Sequence, residues 1–128
     1  PAGRDTEIAI TAQTGIKSLD VTIDCDNLDA RELGTMGIPA RFDLCNIEGF
    51  EDTTGTMHPA EDVREKISAL GFPIEDAVKD KSSIRLKIDK MFTRLLTGYP
   101  GNNNFILTVT ENNGLSTTKT LKYYVPAN

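Results

Sequence analysis

The 128-residue chain carries 14 Lys and Arg residues against 19 Asp and Glu residues, a net charge of −5 near neutral pH. Its length favours a single domain spanning 1–128, with 1–5 disordered or acting as a linker, and its negative charge argues against general nucleic-acid binding, which needs an electropositive surface. No run approaches the roughly 20 apolar residues of a membrane-spanning helix, so we expect no direct insertion of this chain into a membrane.

Two alternating segments open the chain, over 6–12 and 16–24. Their period of two predicts half-buried strands. Cys25 continues the inward series of the second strand, and Cys45 follows 20 residues later. A disulfide between them would close a loop of about 20 residues and contribute about 3 kcal/mol. Two separate thiols are the alternative, and the sequence leaves both open.

The middle of the chain has helical character. A weak helical stretch near 27–36 has Asp26 or Asn27 available as its N-cap. An extended piece follows at 40–44, and the acidic, Gly- and Thr-rich segment 46–57 predicts an exposed loop.

The clearest helix lies at 58–70, with Pro59 suited to its first position. Both helices end in a glycine, an apolar residue and a proline, at Gly37 and again at Gly71. This pattern predicts a left-handed glycine after the last turn, with the apolar residue folded back onto the helix.

The C-terminal third returns to strands. Alternation over 82–88 predicts one strand, 89–97 a short helical turn, and 105–125 a hairpin rich in Thr, Val and Tyr. Residues that pair across the hairpin must face the same side, so their numbers must have an even sum. We therefore expect a three-residue loop over 112–114 that pairs Phe105 with Leu121.

The same register turns Lys119 towards the core, so this residue should lie near a sheet edge or a bulge. Gly114 is the residue expected in the left-handed conformation of the hairpin loop. The order of strands with one interruption is that of a Greek-key sandwich.

The hairpin sequence at 105–121 resembles the last two strands of bacterial immunoglobulin-like and polycystic-kidney-disease-like domains. Five further segments extend the similarity, at 8–12, 16–23, 37–44, 70–73 and 77–82. Together they resemble an Ig-like module of secreted surface lipoproteins of Bacteroidetes. The resemblance implies a mainly β, Ig-like Greek-key sandwich of about seven strands, with the 58–70 helix inserted.

This resemblance also implies a location at the extracellular or outer-membrane surface or in the periplasm, without catalytic residues or cofactors. The chain departs from ordinary Ig domains because it has no Trp. Phe42, Phe72, Phe92 and Phe105 are expected to replace the missing aromatic core.

Asp24, Asp26 and Asp29 superficially resemble a calcium-binding loop, since hard cations need several oxygens close together. Their spacing is too short for the EF-hand series and no bidentate Glu follows at the required distance. A strand end that leads into a helix cap is the favoured interpretation, so no metal site is expected.

Other polar groups give no catalytic pattern. His58, the single histidine, is expected to be an exposed residue near a helix start, and it forms no triad that the sequence supports. The two Cys and one His lack the spacing of a zinc site. Four acidic residues could be interpreted as paired carboxylates for glycoside hydrolysis, but solvated loop acidity is preferred: Asp43, Glu48, Glu51 and Asp52.

Six basic residues fall within 16 positions: Lys79, Lys81, Arg85, Lys87, Lys90 and Arg94. The favoured interpretation is a solvated face rather than an anion site. If the strand at 82–88 neighboured the strand at 16–24, Arg85 and Lys87 would pair with Asp20 and Asp24 across it.

Tyr99, beside a Pro-Gly turn, and Tyr124, on the outward side of the last strand, are the candidates for a carbohydrate platform. Tyr123 is expected in the core. The leading hypothesis is a monomeric, non-enzymatic spacer or protein-interaction module whose contact surface is an edge strand or an exposed loop. The alternative is a carbohydrate-binding module associated with glycan uptake or degradation. The partner is therefore an unidentified protein or glycan at the cell surface.

Overall fold

A computed structural model of the protein describes residues 6–88 and 96–127. Its elements in chain order are β1 (Thr6–Thr11), β2 (Ile16–Cys25), α1 (Ala30–Thr35), β3 (Arg41–Asp43), β4 (Phe50–Glu51), β5 (Met57–His58), α2 (Ala60–Ala69), a 3₁₀ turn (Glu75–Ala77), β6 (Ser83–Ile88), β7 (Gly101–Glu111) and β8 (Ser116–Val125). The prediction of a mainly β chain is confirmed, with eight strands in the described ranges against about seven expected.

The described strands form three antiparallel sheets. The largest has the order β3-β2-β7-β8, while β1 pairs with β6 and β4 with β5. Seven apolar side chains described in the sheets β3-β2-β7-β8 and β1-β6 are at most 2% exposed and join one core: Ile10, Ile16, Leu19, Val21, Leu86, Phe105 and Leu107. Two sheets around one core are consistent with a β-sandwich.

The C-terminal hairpin has the predicted register. Phe105 pairs with Leu121, and the amide of Glu111 donates to the carbonyl of Leu115 at 2.8 Å. Gly114 has φ +91°, the left-handed conformation that the loop requires. The requirement that paired side chains face the same side of the sheet was therefore sufficient to predict this pairing.

Both predicted helix stops are present. Gly37 has φ +83° and Gly71 has φ +100°. At the C-terminus of α1 the amide of Ile38 donates to the carbonyl of Leu33 at 3.0 Å. The amide of Gly37 donates to the carbonyl of Gly34 at 2.9 Å. These are the two bonds of a Schellman motif, which satisfies carbonyls that the helix end leaves unpaired.

The helix starts differ from the prediction. The N-cap of α1 is Asp29, not Asp26 or Asn27, because the carboxylate of Asp29 accepts the amide of Glu32 at 2.9 Å. Pro59 is the N-cap of α2 rather than its first residue, and the helix begins at Ala60.

The expectation of an exposed loop at 46–57 is wrong in part. The segment contains β4 and the start of β5, and it buries Ile47 to 3% and Asp52 to 8% exposure. His58 belongs to β5 and is half-buried, so its expected exposure is also wrong.

The neighbour expected for β6 is wrong as well, because β6 pairs with β1 and not with β2. The proposed pairs of Arg85 and Lys87 with aspartates of β2 therefore lack the adjacent strands that they require.

Cys25 and Cys45 are free thiols, so the disulfide alternative is not present.

The helical turn expected at 89–97 and the aromatic role of Phe92 fall mostly or wholly outside the described residues. Phe42 and Phe72 pack edge to face with ring centres 5.7 Å apart, as the expected aromatic core requires. Neither of the two described helices is long and apolar enough to cross a bilayer.

Candidate interaction surface

The β8 strand forms one edge of the four-stranded sheet, since its only partner among the described strands is β7. The Glu111 amide bonds the Leu115 carbonyl, which marks that pair as a hydrogen-bonded one. Because such pairs alternate along an antiparallel ladder, odd-numbered residues of β8 direct their backbone groups to β7. The amides and carbonyls of Ser116, Thr118 and Thr120 point to the open edge.

Exposure differs between the first half of β8 and its end. Every residue of 116–120 is exposed, whereas Tyr123 and Val125 near the end of β8 are buried. The confirmed core position of Tyr123 thus anchors one end of β8 while its first half is accessible. We define the open edge as the side of β8 that carries the backbone groups of the even-numbered residues over 116–124.

Hydroxyl groups stiffen the outer face beside this edge. Thr108 and Thr118 form one hydroxyl pair across the hairpin at 3.2 Å, and Thr110 and Ser116 form a second at 2.9 Å. Since both pairs link β7 to β8, they hold the edge strand in an extended conformation.

Hydrogen bonds to neighbouring segments also fix the position of the hairpin tip. The side chain of Asn112 donates to the carbonyl of Thr14 and to Asp80, each at 3.0 Å. The carboxylate of Glu111 accepts the amide of Thr14 at 3.0 Å and its hydroxyl at 3.2 Å. These bonds attach the tip to the β1–β2 turn and pre-organise the open edge.

Lys119 lies where the sequence predicted, on an edge strand. Its Nζ donates to the backbone carbonyl of Ala9 in β1 at 3.3 Å. The amide of Ala12 donates to the carbonyl of Ser82, the residue before β6. Because the backbone groups of successive residues in a strand point to alternate sides, those of Ala9 point away from β6. The Lys119 side chain therefore connects the free edge of β1 to the inner face of β8.

An opening of about 300 Å³ lies beside this contact. Residues from β1, the turn after it, β7 and β8 line it: Ile10, Thr11, Gln13, Val109, Glu111, Thr117 and Lys119. The sandwich is thus open on this side within the described part of the chain.

The two tyrosine candidates have different environments. Tyr124 is 65% exposed, on the outer side of β8. Tyr99 is half-buried against the core, and its hydroxyl donates to the carboxylate of Glu32 at 3.1 Å, which raises the pKa of Tyr99 above its ordinary value. No ring contact in the described ranges joins the two tyrosines.

Two of the calcium candidates have structural partners. Asp29 caps α1, and the carboxylate of Asp26 accepts the amide of Asn102 at 2.9 Å. Asp24 is exposed at the end of β2. No cluster of three or more potential ligands exists among the residues described.

Asp52, which is buried, and His58, which is half-buried, form a pair that the sequence analysis did not predict. His58 Nε2 donates to Asp52 Oδ2 at 2.8 Å, and the Asp52 side chain is only 2% exposed. The hydroxyl of Thr54 and the amides of Thr54 and Thr56 also donate to this carboxylate. These bonds, led by that of the Thr54 hydroxyl and followed by that of His58, hold the pKa of Asp52 well below its ordinary value.

The surroundings of the pair favour a structural role. Phe50 stacks on the His58 ring with centres 4.8 Å apart. A Cβ at Gly34 would lie 2.8 Å from the Cβ of Asp52, which shows how closely α1 packs on the β4–β5 hairpin. The alternating polar residues at 52, 54, 56 and 58 were the available sequence signal.

The remaining loop carboxylates include a second structural group. Asp43 accepts the amide of Leu19 at 3.0 Å and that of Cys45 at 2.9 Å. Glu48 and Glu51 are exposed, as expected. A polar groove of about 450 Å³ runs past Asp20, Asp43 and Glu48.

Burial has a separate effect on the two thiols. It is the largest cause that raises the pKa of Cys25 and of Cys45 to about 11, and the nearby Asp24 and Asp43 respectively raise these values further. Both thiols are therefore protonated and weakly nucleophilic at neutral pH.

Comparisons with known proteins add no relative. No protein-family model, no curated protein and no solved structure matches this chain.

Proposed function

We propose that this chain is a non-catalytic protein-interaction or spacer module that binds an extended segment of a partner at the open edge of β8. The single observation that carries the proposal is this pre-organised edge, whose backbone groups point away from β7. An extended peptide can add to such an edge because main-chain hydrogen bonds supply affinity.

Sequence features support the same conclusion. The first half of β8 consists of Ser, Thr and Lys, and Thr is enriched in strands. The anchored tip lowers the conformational entropy that binding would cost. Lysines on an edge strand disfavour pairing of identical edges, because two such edges would bring like charges together. The module is accordingly proposed to be a monomer when free.

The cellular setting of the proposal comes from the resemblance to secreted lipoprotein domains. We propose an Ig-like Greek-key sandwich at the cell surface or in the periplasm of a bacterium. Protease treatment of intact cells that express the full-length protein tests this placement. Cleavage without permeabilisation supports surface exposure, and protection until the outer membrane is opened supports the periplasm. Protection until the inner membrane is broken contradicts both.

Selection from a random-peptide phage library tests strand addition. The key variant is Thr118→Pro, which removes an open-edge amide while leaving the β7 ladder intact. Thr118→Val is its matched control, because it loses the hydroxyl and keeps the amide. We expect selected peptides to bind the native domain and T118V, and to lose at least tenfold in affinity for T118P. Equal binding to T118P would overturn the proposal.

A second candidate, glycan binding, is favoured by the 65% exposure of Tyr124. An exposed aromatic ring beside polar side chains is a suitable surface for a sugar, and Asn102 lies opposite Tyr124 on β7. Titration with a broad saccharide panel, followed by tyrosine fluorescence, tests this candidate. Saturable binding that Tyr124→Ala abolishes would favour it over peptide binding. No saturable change across the panel would exclude Tyr124 as a platform for those sugars.

A further inference from the structure

The open edge has a charge opposite to that of the whole chain. The chain has a net charge of −5, yet β8 carries Lys119 and Lys122 and no acidic residue. Neither lysine forms an ion pair with any described residue. Glu111, the nearest acidic residue along the hairpin, already accepts two bonds from Thr14.

The two lysines lie on opposite faces of the strand. Lys119 points into the opening between the sheets, where its Nζ donates a hydrogen bond to the neutral carbonyl of Ala9. Lys122 is exposed on the other face. Residues three apart in a strand alternate faces in this way, so one incoming strand can contact both lysines with two side chains that are also three apart.

The position of Lys119 makes it the stronger contact. Odd-numbered residues of β8 direct their backbone groups to β7, so on the open edge they would occupy non-hydrogen-bonded pairs with an added strand. Side chains approach each other most closely in such pairs. A carboxylate opposite Lys119 would replace a neutral oxygen with a charged acceptor, which forms a stronger bond.

We propose that the open edge selects extended acidic segments, with one carboxylate that enters the opening to meet Lys119 and a second, three residues away, that meets Lys122. This inference rests on the proposed strand addition and adds the partner's chemistry. A second copy of the chain is a poorer occupant, because its β8 would bring two further lysines and no acidic residue to the edge.

Synthetic peptides of alternating Thr and Val test the inference. One peptide carries two Glu residues three positions apart, a second carries Gln at both positions, and a third carries Lys at both. Affinity is measured by fluorescence anisotropy, and the site is identified by the protection of open-edge amides from hydrogen exchange. We expect the Glu peptide to bind about fivefold or more tightly than the Gln peptide, and the Lys peptide to bind weakest.

Charge reversal supplies the matched variants. Lys119→Glu should weaken the Glu peptide by about tenfold and reverse the preference towards the Lys peptide. Lys17→Glu, at an exposed lysine of β2 away from this edge, should leave the order of affinities unchanged.

The outcomes separate the two levels of the proposal. Equal affinities of the three peptides, each with protection of the open-edge amides, would overturn the acidic preference and leave strand addition standing. Absence of protection by every peptide would overturn both. Concentration-dependent self-association through β8, seen by sedimentation and lost in T118P, would identify a second copy as the occupant and contradict the inference.

Discussion

Proline substitutions at two adjacent threonines of β8 test which residues of the strand direct their amides to β7 and which direct them to the open edge. Thr117 is odd-numbered, so its amide points to β7 and pairs with Val109. Thr118 is even-numbered, so its amide points to the open edge. Both residues are exposed, hence the two substitutions differ mainly in the backbone donor that they remove.

The expected losses of stability differ. Thr117→Pro removes a ladder bond worth about 1 kcal/mol and leaves the carbonyl of Val109, a 5% exposed residue, without its partner at a cost of about 1–3 kcal/mol. Thr118→Pro removes one exposed hydroxyl bond to Thr108 worth about 0.5–1 kcal/mol. Both variants regain about 0.4–1 kcal/mol because proline restricts the unfolded chain.

Urea unfolding measures the difference. Thr117→Pro should lower the free energy of unfolding by about 1–3.5 kcal/mol more than Thr118→Pro, with equal dependence on urea concentration. Equal losses, or a larger loss for Thr118→Pro, would refute the assigned strand polarity and with it the open edge.

Three further predictions concern other parts of the fold. Because the pKa of Asp52 is lowered from 3.8 in the folded protein, chiefly by the Thr54 hydroxyl, its contribution to stability is present above about pH 4 and is lost as the pH falls through the folded value. Urea unfolding from pH 2.5 to 7 should therefore show that Asp52→Asn is less stable than the native chain at neutral pH. The difference in the free energy of unfolding should decrease as the pH falls, and a difference that is independent of pH would contradict this. Gly114→Ala places a Cβ in open space at φ +91°, so backbone strain alone should cost about 1–2 kcal/mol in thermal unfolding, and an unchanged midpoint would show that the turn differs. Cys25 and Cys45, each with a pKa near 11, should react with iodoacetamide at pH 8 more slowly than free cysteine; rapid alkylation of the folded protein would contradict their burial.

Local patterns predicted the hairpin and the helix ends because the physical constraint lies within a few residues. The even-sum rule paired Phe105 with Leu121 since both side chains had to face the core. The same rule turned Lys119 inward and thereby predicted a sheet edge or a bulge near it, and the edge that the structure shows is the candidate site. Gly37 and Gly71 marked the helix ends because only a left-handed residue closes that motif.

Features that depend on distant segments were not predictable in this way. Nothing local distinguishes whether β6 pairs with β1 or with β2, and the wrong choice led to expected ion pairs between strands that are not adjacent. The Asp52–His58 pair requires a hairpin of two two-residue strands, and the alternating polar residues over 52–58 do not by themselves show that such short strands pair. Asp26 or Asn27 was expected to cap α1, but Asp26 accepts the amide of the distant Asn102, and Asp29 is the residue that caps the helix.

Amide hydrogen exchange along β8 tests the open edge most directly. In the free domain the amides of Thr118, Thr120 and Lys122 should exchange rapidly, while those of Lys119 and Leu121, which bond to β7, should be protected. Addition of the two-Glu strand peptide should protect the rapid set and leave the slow set unchanged. Uniform protection in the free domain, or no protection of the rapid set at saturating peptide, would contradict the account.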